Sequence, residues 1–244
     1  MISRTHGSFD TPEKFIDAVV ALKPQVAAFD CDGTLWFGDA GTKFFYWEIE
    51  EGLIPADVAQ AIMRRYDQYL AGRISEEEMC GEMVQIHRGI EEKKIRQYVA
   101  RFVRSNVMPQ FFPEMRTLVG KLRREGCDIW AVSSTNNWVI EEAVKEVGIP
   151  AERVIAVRVE IENGIASDRL GEITSGAGKA RALCRVLNQP LDVSFGNSIF
   201  DLEMLELARN PFPVNPNQDL LKIAVERGWR YYQPAVLKVS APSA

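Results

Sequence analysis

The sequence predicts an α/β protein: a parallel sheet covered by helices on both faces and interrupted by an all-helical segment. Short apolar runs alternate with amphipathic helical stretches, and that order calls for parallel strands joined by crossover helices. The runs, of which Val26–Phe29 is the first, are apolar without alternation, as in strands buried on both faces. From about Gly41 to Val107, between the first run and the second, the pattern stays helical and no strand-like alternation appears.

Taken in order, residues 1–10 read as polar and loose. Thr11-Pro12-Glu13 then supplies a helix N-cap, a proline at the first helical position and an acid in the first turn. Phe15, Val19, Val20 and Leu22 give this helix an apolar face before Pro24. In the helical segment, Pro55 and Ala56 open one helix, and Ile62, Tyr66, Tyr69 and Leu70 fall at helical spacing. Ser75 followed by Glu76, Glu77 and Glu78 is a cap with acids at the positive end of the next helix, and Ile90–Val103 is a further amphipathic piece.

Beyond it, the sequence predicts helices over Pro113–Glu125, Asn136–Val147 and Ala177–Leu187, and strands over Asp128–Val132, Arg153–Val157 and Val193–Phe195. Phe212–Val214 is a candidate fifth strand. Arg158–Ala166, with Asn163-Gly164 at its turn, reads as a hairpin. The tail beyond Trp229 carries no signal.

Composition narrows the function. The chain has 244 residues, 46% hydrophobic and 26% charged, which suits one large globular domain or a core with an insertion. A formal net charge of -5 argues against nucleic acid or an anionic membrane as partner. No run approaches the ~18 apolar residues of a transmembrane helix, and the first ten residues lack the apolar region of a secretory signal. Cys31, Cys80, Cys127 and Cys184 show no C-x-x-C spacing, which argues against zinc or a disulfide framework and fits a cytoplasmic protein. His6 and His87 are the only histidines, so a histidine-based triad or metal site is not expected. The chemistry falls to carboxylates.

Those carboxylates stand at the end of the first strand, where V-A-A-F runs into Asp30, Cys31, Asp32, Gly33 and Thr34. In an open α/β sheet the carboxyl edge of the strands is where ligands bind. Two like charges two residues apart call for a cation or a shared proton between them. The stretch therefore asks for a divalent metal, a phosphate site, or both. Strand alternation turns Cys31 away from its neighbours and into packing.

D-C-D-G-T resembles the first motif of the haloacid dehalogenase (HAD) superfamily of phosphohydrolases, D-x-D-G-T. Ser133-Ser134-Thr135 after the second strand resembles the family's second motif, with Ser133 the better match and Ser134 the alternative. Lys179 in Gly178-Lys179-Ala180 matches the third, and G-N-S-I-F-D resembles the fourth, G-D-x-x-x-D, through Asp201. Asn197 departs from the pattern, standing where the family has an aspartate that binds metal. The N-G-I near 163, the G-x-G-K run and P-V-N-P-N-x-x-L from Pro213 look like the phosphoserine phosphatase branch.

The resemblance implies a Rossmann-like core over residues 1–40 and 108–244 and a helical cap over 41–107, with hinges near Phe37–Gly41 and Ser105–Pro109. It implies hydrolysis of a small phosphorylated metabolite through an aspartyl-phosphate. Asp30 would be the nucleophile, Asp32 the general acid and base, and Lys179 the electrostatic clamp. Gly33, Thr34, Ser133 and Ser134 would bind phosphate. Mg²⁺ would sit on Asp30, the Asp32 carbonyl, Asn197 and Asp201. Asn197 removes one charge from that set, which predicts weaker Mg²⁺ binding.

Asp32 argues against dehalogenation, which needs no acid for an alkoxide. A phosphomutase or phosphotransferase on the same core, and a catalytically weakened domain that only binds, stay open. For the substrate, the aromatics Trp36, Phe37, Phe44, Phe45, Tyr46 and Trp47 read first as the cap's own core. The alternative is a cage for a quaternary ammonium, as in phosphocholine, or a site for phosphoethanolamine. A third reading has Glu48 and Arg73 gripping a zwitterion such as phosphoserine.

Overall fold

The computed structural model describes residues 7–235. Five parallel strands form the sheet, β1 (Val26–Phe29), β2 (Asp128–Asn136), β3 (Val154–Val157), β6 (Val193–Gly196) and β7 (Asn210–Pro213), in the order β3-β2-β1-β6-β7. β4 (Val159–Glu162) and β5 (Ile165–Leu170) form a separate antiparallel hairpin. The central strand is β1, in register with β2 from Val26 opposite Asp128 and with β6 from Ala27 opposite Val193. All four of its side chains are buried. They divide between the faces as pleating requires, Ala27 and Phe29 into the larger core and Val26 and Ala28 into the smaller one.

The larger core holds α1 (Pro12–Val20) and α6 (Pro113–Arg124). Thr11 caps α1 through its side chain, and Phe15 stands edge-on to Phe195 and Phe212 from β6 and β7. The smaller core is closed by α8 (Ala177–Val186) and α9 (Leu202–Leu207) through Leu183 and Met204. α7 (Asn137–Lys145) follows β2, and α10 (Gln218–Glu226) follows β7.

The chain ends depart from the sequence reading. Residues 1–6, part of the stretch expected to be loose, lie outside the described residues, but Phe9 is buried with its ring 5.4 Å from Phe15. Its N–H donates to the Tyr231 carbonyl. In the tail, Tyr232 stacks on Phe15 at 4.5 Å and its hydroxyl donates to Glu114 at 2.7 Å. Single aromatic anchors tie both ends down, and a lone anchor leaves no periodic trace.

The helical insertion consists of α2 (Ala40–Glu50), α3 (Ala56–Leu70), α4 (Glu76–Gln85) and α5 (Glu92–Phe102). Asp39 and Ser75 cap α2 and α4 through their side chains. α5 runs into a π-helical turn, Val103–Val107, and a 3-10 turn, Met108–Gln110. The connections leaving and rejoining the sheet lie side by side: Phe37 N–H donates to Gln110 at 2.9 Å and Phe112 N–H to Leu35 at 3.0 Å. The hairpin, two strands where the sequence reading placed it but ending at Leu170 rather than Ala166, reaches over to the insertion. Gly89 N–H donates to Ala166, Ala166 N–H to Ile90 and Glu92 N–H to Gly164, all between 2.8 and 2.9 Å.

Candidate active site

Three strand ends and one helix start meet at the carboxyl edge of the sheet. β1 delivers Asp30, β2 delivers Ser133–Thr135, β6 delivers Asn197, and α8 brings Lys179 across from the smaller core. Lys179 can reach inward because Gly178 lets the start of α8 lie against the Ile173 carbonyl, where a Cβ would collide with that oxygen. Its Nζ donates to Asp30 Oδ1 at 2.7 Å and to Asp201 Oδ1 at 2.5 Å, and all three residues are at least 96% buried. Asp201 Oδ2 accepts from the backbone N–H groups of Asn197 and Ser198 at 2.9 and 3.0 Å, which fixes the loop after β6.

The charges are frustrated. One ammonium faces two buried carboxylates, and Asp32 lies just beyond. Burial, reinforced by the Asp201 charge and opposed by Lys179, pushes Asp30 up to about 7. Burial works against the Lys179 charge too, but Asp201 and Asp30 outweigh it and hold the ammonium above the usual lysine range. Asp32 is pushed up to about 6 by burial and then by Asp39, against three hydrogen bonds that favour its ionised form. These come from Trp36 Nε1 (2.7 Å) and Ala40 N–H (2.6 Å) to Oδ1, and from Thr135 Oγ1 (2.7 Å) to Oδ2.

A carboxyl whose pKa is higher folded than unfolded keeps its proton in the fold after the unfolded chain has released it. Stability from such a group is largest below the unfolded value and falls as pH rises through the folded one. For Asp30 that window runs from the ordinary 3.8 to about 7. In chelator, the melting temperature of Asp30→Asn relative to wild type is therefore expected to rise between pH ~4 and ~7. A difference independent of pH would show that Asp30 does not titrate in that window.

Residues 27–206 match the family of haloacid dehalogenase-like hydrolases. The chain belongs to that family. It is 26% identical over 259 aligned positions to a probable phosphatase of Mycobacterium tuberculosis, covering 100% of this chain and 88% of the relative. It is 25% identical over 216 positions to a histidinol-phosphatase of Neisseria meningitidis, covering 84% and 96%. Among solved structures it resembles a substrate-bound phosphoserine phosphatase with a TM-score of 0.58 at 13% identity, over 86% of this chain and 92% of that one. The fold is that of a phosphoserine-phosphatase-like HAD protein.

The HAD-type residues expected from the sequence come together around one cleft of about 370 Å³, lined by Asp30, Asp32, Gly33, Ser134, Lys179 and Asn197 among others. Asp201 lies beneath it, fully buried. Thr34 does not face the cleft: it is fully buried, and its hydroxyl donates to Asp30 Oδ2 at 2.7 Å. It positions the carboxylate rather than offering its hydroxyl to phosphate. Of the two serines, Ser134 lines the cleft, whereas Ser133 is 1% exposed with Oγ accepting from Thr135 N–H. Cys31 is buried, as expected, and burial followed by the flanking carboxylates keeps its thiol well above the usual range.

Four residues that the sequence reading did not place in the catalytic set support this geometry. Thr135 and Trp36 hold Asp32. Asn215, at φ +51°, donates to the Gly33 carbonyl at 3.0 Å, while the neighbouring Asn217 N–H donates to the Asn197 carbonyl at 2.8 Å. Their signal was in the sequence, as a third hydroxyl after β2 and as the P-V-N-P-N stretch, but nothing local said what they touch. Gly33 closes the arrangement. Its φ is +75°, and a Cβ there would collide with the Asn197 carboxamide, so only glycine lets the loops after β1 and β6 meet.

Proposed function

We propose that this HAD hydrolase is a Mg²⁺-dependent phosphatase that cleaves a small phosphomonoester through an aspartyl-phosphate on Asp30. The observation that carries the reading is the Asp30–Lys179–Asp201 cluster, a nucleophilic carboxyl clamped by a buried ammonium beside the cleft. Asp30 attacks phosphorus as the bond to the ester oxygen breaks. Asp32 gives the departing alkoxide its proton, then takes one from the water that hydrolyses the acyl phosphate and regenerates Asp30. Its value of about 6 suits a group that must act as acid and then as base near neutrality. Lys179 opposes the charge of nucleophile and phosphoryl group alike. Ser134 and the Gly33 backbone stand where the phosphoryl oxygens would lie. The helical insertion, residues 41–107, acts as a cap over this cleft.

The donor set fits a hard divalent cation. Oxygen donors would come from the Asp30 carboxylate, the Asp32 carbonyl and the Asn197 carboxamide, with Asp201 behind them, and two buried carboxylates share the single Lys179 ammonium. Mg²⁺ bound there would offset the charge on the transferring phosphoryl group. Asn197 makes the set one charge poorer than the family pattern. Asn197→Asp is expected to tighten Mg²⁺ binding about tenfold, read by calorimetry without substrate. Unchanged affinity would place the metal away from this loop. The reaction itself is tested by phosphate release from a panel of small phosphomonoesters, with Mg²⁺ or chelator. Release that persists in chelator or in Asp30→Asn would overturn the reading.

A further inference from the structure

A second cavity, of about 150 Å³, opens off the phosphate cleft between the sheet edge and the helical insertion. The two share Asp32, Asp39, Glu76 and Ser134 as a common wall. The residue that would protonate a leaving alkoxide thus stands between them, so the second cavity lies where the alcohol half of a substrate would extend. Its volume is that of a hole known to hold one benzene molecule, which limits the alcohol to a handful of heavy atoms.

The wall chemistry narrows the alcohol further. Asp32, Asp39, Glu48 and Glu76 all line the cavity, and among the described residues no lysine, arginine or histidine does. Arg73, once a candidate partner for a substrate carboxylate, is exposed on the surface and absent from the lining. Glu48 is 1% exposed and His87 Nε2 engages its Oε2 at 2.7 Å. The remaining wall includes Phe44, Phe45, Tyr66 and Tyr69. Phe45 and Tyr66 lie 5.3 Å apart and Tyr66 and Tyr69 5.8 Å apart, their planes tilted by 39° and 44°. An aromatic lining attracts a cation and disfavours an anion through the ring quadrupole.

We propose that the alcohol released here is a small amino alcohol, whose ammonium group sits in this cavity against the acidic and aromatic wall. This rests on the phosphatase reading and deepens it. An amino-acid phosphate is disfavoured because its carboxylate would meet an acidic lining to which the described residues add no lysine or arginine. In the reaction the ester P–O bond breaks, the alkoxide takes its proton from Asp32, and the alcohol leaves with its ammonium unchanged. The net change is one water consumed per phosphate released. Of the aromatic run near β1, Phe44 and Phe45 then serve both core and pocket, while Trp36, Tyr46 and Trp47 are absent from the lining.

The test compares kcat/KM for phosphocholine with that for 3,3-dimethylbutyl phosphate, its uncharged isostere, and for phosphoethanolamine with that for O-phosphoserine. In each pair the first is expected to be favoured at least ~10-fold. Glu76→Gln should shrink the first ratio several-fold, with the melting temperature checking that the variant folds. Hydrolysis of p-nitrophenyl phosphate without preference in either pair would overturn the proposal and leave the phosphatase reading intact. If wild type releases phosphate from none of these compounds, that reading fails. Calorimetry of choline against 3,3-dimethylbutanol then decides the pocket: tighter choline binding supports it, and equal or absent binding overturns it.

Discussion

Asp30→Asn is expected to lower phosphate release by ~10⁴-fold or more while the protein stays folded. The size follows from the role: without a nucleophile the covalent route is closed, and the oxygens, ammonium and cleft that remain supply only binding and electrostatics. Folding should survive because the variant keeps the Lys179–Asp201 pair and the shape of the side chain while removing a charge that burial opposes. Wild type treated with substrate and quenched in acid should carry one phosphoryl group per chain, absent from the variant by mass spectrometry. A variant within tenfold of wild type would remove Asp30 from the chemistry.

Lys179→Met should produce the largest loss of stability. Removing one partner of a buried ion pair leaves the rest uncompensated, typically at a cost of ~3–5 kcal/mol. Here Asp30 and Asp201 would face each other with no cation between them. In a chain of this size, that corresponds to a fall of roughly 6–20 °C in melting temperature. Activity should fall at least ~10²-fold, since the clamp on nucleophile and phosphoryl charge goes as well. Adding Asp30→Asn to Lys179→Met should recover much of the stability and none of the activity. If the single variant melts like wild type, the buried cluster does not carry the charge balance assigned to it.

Much of this was legible before any fold was known. Val26–Phe29 announces a strand buried on both faces, and the acids that follow it announce a ligand edge. The order of Asp30, the serines, Lys179 and Asp201 is legible because each stands at a strand end or helix start, where local sequence marks the boundary. The helical insertion is legible from periodicity and caps, and Asp39 and Ser75 cap helices as their positions suggest they should. Hydroxyl roles were harder. Thr34 could face phosphate or Asp30, and only packing turns it to Asp30.

The sequence by itself pointed to the reaction class through the order of four motifs resembling the HAD pattern, at Asp30–Thr34, Ser133, Lys179 and Asn197–Asp201, each readable where it stands. It also showed an asparagine at 197 where the family pattern has aspartate, a matter of identity rather than geometry. Tertiary structure alone decided what the substrate's alcohol would meet. Glu48 on α2, Tyr66 and Tyr69 on α3 and Glu76 on α4 have no spacing that ties them to Asp32, yet they line one cavity beside it. It also decided that the β4–β5 hairpin grips the insertion and that Phe9 and Tyr232 both pack on Phe15. Such contacts join residues tens to hundreds of positions apart through packing and backbone hydrogen bonds, and local pattern carries no record of them.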